Sequence, residues 1–348
     1  MAAAAADANA PVPSGPVPFK DIGDGTFPEH TPMDKEELDD LVAALPRRQN
    51  AVLELRLYQG CWLPKYWVPG VMEFQRRFTP RPDDVILASF PKCGTTWLMS
   101  LAFATLARGA HPPAAAAHPL RRLHPHDCVP FIDTLFAGGA AARLDALPSP
   151  RLMSTHLPHS LLPEPVAAGG GCRVVYICRD PKDMAVSLWH FTRRSRPPPG
   201  LSFAEVFGAV CDGTVAIGPV WDHALSYWRA AAARPDRVLF LRYEELLRDP
   251  GEGVRRLAAF MGRPFSAAEE AAGDVAAVVE LCILDGMKGR EANRGGAQTA
   301  GNYLAMPHDS FFRKGVVGDW ASLMTPEMAA RMDEIFREKL QGTGFSFA

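Results

Sequence analysis

Four short apolar runs punctuate the middle of the chain: VILASF (85–90), RLMST (151–155), RVVYIC (173–178) and RVLFLRY (237–243). Each is rich in branched or aromatic side chains and bounded by loop formers. That pattern predicts strands of a parallel sheet buried on both faces. Between the runs the period changes. TTWLMSLAFATLA after the first, PKDMAVSLWHF after the third and DPGEGVRRLAAFM after the fourth predict helices. The alternation predicts an α/β fold, a single doubly wound domain with a central parallel sheet flanked by helices. Upstream, DKEELDDLVAALPRR (34–48) predicts a further helix, acidic early and basic late as the helix dipole favours. The segments 107–122, 137–150 and 193–200 are rich in Ala, Gly, Pro or Arg and read as long loops. There is no internal repeat and no dividing linker, so 31–348 is expected to form one domain behind a disordered Ala/Pro-rich tail over 1–30.

Composition changes this picture little. A chain of 348 residues with 47% hydrophobic content can bury a large core, and a net charge of −2 gives no reason to expect nucleic acid or an anionic membrane as partner. The seven cysteines are scattered and form no C-x-x-C pair, which suits free thiols in a reducing compartment better than disulfides or a zinc site. No apolar run has the length of a membrane span, and the N-terminus has neither the basic start of a signal peptide nor the arginines of a transit peptide. A cytoplasmic protein is expected.

The chemistry concentrates where strands end. PKCGTTW (91–97) joins the first run to its helix, and ligands of parallel α/β sheets sit beyond the strands' carboxyl ends, at helix N-termini. Gly94 permits close backbone approach, Thr95 and Thr96 add hydroxyls, and Lys92 adds a charge. It is not a Walker A loop, because the lysine precedes the only glycine. Taken alone, the stretch also reads as a corner with a solvated lysine. The third run ends in Arg179, with Ser187 two turns into the next helix; Asp180 and Asp183 are possible structural partners for that arginine. FFRKGVVGDW (311–320) adds Arg313, Lys314 and Gly315. Three cationic turns point to a ligand with more than one anionic group. His156 closes the second run, where an imidazole suits proton abstraction near neutral pH. The pair His124-x-His126 reads as an ordinary polar loop, since no further ligand has metal-site spacing.

Together these residues resemble the cytosolic sulfotransferase family, and its plant members most closely. FPKCGTTW, CRDPKDMAVSLWHF, LRYEEL and FFRKGVVGDW occur in the family's order between Phe90 and Trp320, with shared features in LYQGCWLP (57–64). The resemblance implies a P-loop-NTPase-like sulfotransferase fold. It also implies transfer of a sulfuryl group from 3′-phosphoadenosine 5′-phosphosulfate (PAPS) to a small hydroxylated acceptor, with no metal, nucleic acid or membrane involved. By position, Lys92, Cys93, Gly94, Thr95 and Thr96 would cradle the phosphosulfate and Trp97 would stack on adenine. Arg179, Ser187, Arg313, Lys314 and Gly315 would hold the 3′-phosphate, Tyr243 and Leu284 would border the adenine, and His156 would be the general base.

The chain departs from the family pattern at several positions. Cys93 replaces the commoner Ser or Thr, Ser154 stands where animal members have a lysine, and Ile283 and Leu284 replace Ser and Phe in ELCILDGMKG (280–289). MTPEMAARMDE (324–334) does not match the dimer motif of animal members, so the oligomeric state stays open. A nucleotide-binding homologue without turnover and, less well supported, a P-loop kinase are the alternatives. Trp62, Trp67, Phe131, Phe191 and Tyr303 are candidates for an apolar acceptor pocket suited to a phenol, flavonoid, steroid or jasmonate-like alcohol.

Overall fold

The four apolar runs become four parallel strands, β4 (Val85–Ser89), β5 (Leu152–Thr155), β6 (Arg173–Cys178) and β7 (Val238–Arg242), in the spatial order β5-β4-β6-β7. Three further strands precede them as an antiparallel ribbon: β1 (Arg47–Gln49), β2 (Glu54–Tyr58) and β3 (Cys61–Pro64). The computed structural model describes residues 15–23, 34–50, 53–195, 201–300 and 304–347. Register sets Val85 opposite both Leu152 and Arg173, and Val174 opposite Val238. Successive residues of β4 enter opposite cores: Ile86 and Ala88 pack with Met153, Tyr176 and Met184, whereas Val85 and Leu87 pack with Leu101, Val175 and Val254. Every residue of β4 is buried, which is why its sequence shows no alternation. One core is covered by helices Thr95–Ala107 and Pro250–Phe260, the other by helices Pro181–Arg194 and Val220–Ala233.

The sheet is fastened at its amino-terminal edge by a buried pair. Arg151 donates from Nε to Asp84 Oδ1 at 2.9 Å and from Nη2 to the Thr79 carbonyl at 2.9 Å, and Asp84 also accepts the Arg81 backbone N–H. Both side chains are almost wholly excluded from solvent. Removing one partner leaves an uncompensated charge, so Arg151→Ala is expected to lower unfolding stability by about 3–5 kcal/mol. Urea titration of the two proteins checks it.

Two expectations are corrected here. The helix expected over 34–48 runs only from Lys35 to Ala44, capped by Asp34. Pro46 holds Leu45 in extended backbone, and Arg47 and Arg48 fall in β1 rather than on a helix end. The helix's terminal carbonyls of Ala43 and Leu45 are met instead by Arg56 Nη1 from β2. The expected disordered tail over 1–30 also does not extend through its described part. Within residues 15–23, Phe19–Asp21 forms a short helix, Phe19 is buried, and the Arg143 guanidinium lies 4.6 Å from its ring; 1–14 and 24–30 lie outside the described residues.

Candidate active site

Each of the four parallel strands delivers a polar group just past its carboxyl end: Lys92 after β4, His156 after β5, Arg179 after β6 and Tyr243 after β7. All four line one cavity of about 640 Å³, together with Gly94, Thr95, Thr96, Trp97, Ser187, Leu284, Arg313 and Gly315. Of the predicted site residues only Cys93 and Lys314 stay off its wall. Cys93 turns into the core, where burial pushes its thiol up to about 12. Lys314 is exposed, with Nζ 2.6 Å from Asp319. Trp67, Phe131 and Phe191 line the cavity and Trp62 does not; Tyr303 lies outside the described residues.

The turn after β4 depends on its glycine. Gly94 caps the Thr95–Ala107 helix with φ +103°, and a Cβ there would stand 2.8 Å from Tyr243 Cδ2. Any side chain would meet both the left-handed backbone penalty and the tyrosine. Lys92 also takes a positive φ, 70°, and Thr95 Oγ1 lies 2.6 Å from Ser89 Oγ. Burial, together with the cations Arg179, Arg313 and Arg194, lowers the Lys92 ammonium to about 7. No carboxylate pairs with it among the described residues; Nζ sits 4.0 Å from the Phe191 ring centroid.

His156 is held from two directions. Its Nδ1 lies 2.8 Å from the Ser89 carbonyl, which can only accept, so the Nδ1 proton is fixed and Nε2 keeps its lone pair. Burial outweighs that hydrogen bond and lowers the imidazole to about 4, leaving it neutral at pH 7. Its backbone N–H donates to Asp133 Oδ2 at 2.8 Å, and Thr155 Oγ1 donates to Asp133 Oδ1 at 2.7 Å. Its carbonyl accepts from His223 Nε2 at 2.9 Å, and His223 Nδ1 in turn faces the Tyr176 hydroxyl at 3.0 Å. Asp133, His223 and Tyr176 escape sequence reading, because an acid in VPFID and a histidine in VWDHAL carry no local signal.

Arg179 is buried, donating to the carbonyls of Val316 at 2.9 Å and Lys92 at 3.4 Å, with its guanidinium 4.6 Å from the Tyr243 ring. Its Nε is sealed in protein without a partner. Asp183 comes within 3.7 Å of this arginine, yet its oxygens mainly receive the backbone N–H groups of Gly318 and Trp320 at 2.8 and 2.9 Å. Asp180 instead caps its own helix at Lys182. The 313–320 loop is therefore pinned to the strand-end helix. Within it, Asp319 holds both Arg313 and Lys314. Gly315, at φ +67°, packs so closely on Leu284 that a Cβ would lie 2.5 Å from Cδ2. Ser154 is fully buried and does not line the cavity.

No cluster of three or more His, Cys, Asp or Glu that could hold a metal occurs among the described residues, and none of their helices is long and apolar enough to cross a membrane. All seven cysteines are free and buried.

Known proteins resemble this chain in sequence and fold. The profile of the sulfotransferase domain matches residues 82–344. Cytosolic sulfotransferase 8 of Arabidopsis thaliana is 42% identical over 313 residues, 89% of this chain and 92% of its own. The crystal structure of an Arabidopsis thaliana putative steroid sulphotransferase superposes with a TM-score of 0.71 at 32% identity, over 93% of this chain and 100% of that one. A mouse sulfotransferase crystallised with PAP superposes with a TM-score of 0.64 at 27% identity, over 83% of this chain and 94% of its own. The domain profile over 82–344 and this identity over nearly the full length make the chain a member of the cytosolic sulfotransferase family and a sulfotransferase by enzymatic class.

Proposed function

We propose that this sulfotransferase moves a sulfuryl group from PAPS to a hydroxyl of a small, largely apolar acceptor, with His156 as general base. The observation that carries the reading is the meeting, in one cavity, of a neutral imidazole with a free lone pair and a lysine surrounded by other cations. The cavity fits the donor as substrate. The N-terminus of the Thr95–Ala107 helix, with Gly94, Thr95, Thr96 and Lys92, suits the 5′-phosphosulfate, and the Cys93 side chain has no part in it. Arg179, whose guanidinium lines the cavity, suits the 3′-phosphate beside Ser187, Arg313, Gly315 and, once released from Asp319, Lys314. Trp97 and Tyr243, edge to face with centroids 5.6 Å apart, border the adenine with Leu284.

In the step itself, the acceptor oxygen attacks sulfur as its proton passes to His156 Nε2. The bond from sulfur to the bridging oxygen breaks, and adenosine 3′,5′-bisphosphate departs with the electron pair. Lys92, when protonated, stabilises the charge developing on that oxygen, the electrostatic contribution that usually dominates such sites. Trp67, Phe131, Leu188 and Phe191 offer the acceptor an apolar wall, which suits a phenol, flavonoid, steroid or jasmonate-like alcohol. The names of the relatives and the free thiols support residence in the cytosol. A screen of hydroxylated metabolites with PAPS, read by mass spectrometry as the gain of one sulfo group, tests the reading; no transfer to any acceptor rejects it.

Lys92 gives this reading a pH signature. With its ammonium near 7 in the free protein, anion binding favours the protonated form, so binding takes up a proton above that pH. Affinity for adenosine 3′,5′-bisphosphate should therefore fall as pH rises from 7.5 to 9.5, approaching about tenfold per unit. Calorimetry in buffers of different ionisation enthalpy measures the uptake. Lys92→Met should abolish it.

A further inference from the structure

Beside the proposed reacting groups lies an imidazole that the sulfuryl transfer does not use. His126 lines the same cavity, stacked on Phe131 with centroids 5.6 Å apart and planes 12° from parallel, while Phe131 also packs against His156 at 4.6 Å. Its other neighbours fix it: Phe311 lies 4.4 Å away, His124 stacks at 4.9 Å, and the His126 backbone N–H donates to His124 Nδ1. Burial and the nearby His156 and Lys92 lower it to about 3, so it is neutral.

The two ring nitrogens differ. Nδ1 is sealed in protein without a hydrogen-bond partner, and Nε2 is the nitrogen that is not sealed. A proton on Nδ1 would be a buried orphan donor, which proteins avoid more strictly than an orphan lone pair. The neutral ring therefore carries its proton on Nε2, an N–H offered to the cavity with no acceptor among the described residues. Gln298, also on the wall, donates from Nε2 to Asp127 Oδ1 at 3.2 Å. Lys20 is paired with Asp127 at 3.3 Å. His126 Nε2 is a donor on this side with no hydrogen-bond partner among the described residues.

We propose that His126 is a specificity-determining residue, donating a hydrogen bond from Nε2 to a second oxygen of the acceptor. The inference rests on the sulfuryl-transfer reading of this cavity. It narrows the acceptor class to an apolar skeleton bearing an oxygen besides the reacting hydroxyl. The oxygen need only accept, so ketone, ether and hydroxyl all qualify. A site that supplies a hydrogen bond to a ligand discriminates strongly against the analogue lacking it.

The probe is a set of 4-phenylphenols carrying methoxy or acetyl groups at each position of the second ring, each paired with an ethyl or isopropyl analogue of matched size. Binding to the parent protein, His126→Phe and His126→Asn is measured by calorimetry in the presence of adenosine 3′,5′-bisphosphate. Binding of that nucleotide reports that each variant is folded. The parent should favour at least one oxygenated probe over its alkyl partner by about tenfold, equivalent to ~1.4 kcal/mol. His126→Phe should bring that ratio close to one, and His126→Asn, which keeps a donor, should retain part of it. A parent ratio near one throughout, or a ratio that survives His126→Phe, overturns the proposal. Turnover with PAPS is followed separately: oxygen-selective binding without transfer would reject the enzymatic reading and leave the His126 assignment standing.

Discussion

Replacing His156 by alanine is expected to lower sulfuryl transfer by about 10²–10⁴-fold while affinity for adenosine 3′,5′-bisphosphate stays at the parent level. The ring is neutral, with Nδ1 committed to the Ser89 carbonyl, so it contributes no charge to the nucleotide and only Nε2 to the chemistry. Its backbone is held independently through Asp133 and His223, so truncation should leave the loop in place. Steady-state rates with any acceptor found by the sulfo-transfer screen, set beside calorimetric nucleotide titration, decide the matter. Near-normal turnover, or an equal loss of nucleotide binding, would sink the general-base role.

The second large effect concerns donor recognition. Arg179→Ala should weaken 3′-phosphorylated nucleotides by about 2–5 kcal/mol, roughly 30- to 4,000-fold, and adenosine 5′-phosphosulfate far less. A planar guanidinium on the cavity wall suits a phosphate as a lysine does not. Arg313→Ala should act in the same sense but more weakly. Arg313 already has a carboxylate partner in Asp319, which it must exchange for the phosphate. The pair of variants also separates recognition from architecture. Arg179 supports the Val316 carbonyl as well, whereas loss of Arg313 leaves the loop anchored through Asp183. If both nucleotides weaken in parallel in both variants, these arginines hold structure rather than the 3′-phosphate.

The parts of the fold legible in the sequence are those governed by local rules. VILASF and RVVYIC announce buried parallel strands because both faces are apolar, and their ends agree with β4 and β6 to within a residue. Lys92, Arg179 and His156 stand out because a polar group directly after such a run is anomalous unless something uses it. The antiparallel ribbon is not legible. β1 reads RRQ and β2 carries the buried Arg56, whose purpose appears only when the carbonyls of Ala43 and Leu45 arrive beside it. Nor does sequence show that Asp319 occupies Arg313 and Lys314, or that Asp133 braces His156 from 23 positions away. Such partners are chosen by tertiary contact and leave no periodicity.

The placement of one polar group just past each of four strands ties chemistry to alignment. Lys92, His156, Arg179 and Tyr243 come from stretches separated by 64, 23 and 64 positions. Nothing but the mutual register of β4, β5, β6 and β7 brings them to a common level. Because side chains alternate between faces, a slip of one residue in any strand would turn its contribution away from the others and an apolar side chain toward water. On the proposed reading, turnover is expected to follow correct strand alignment, which the buried Asp84–Arg151 clasp at the far edge helps to hold.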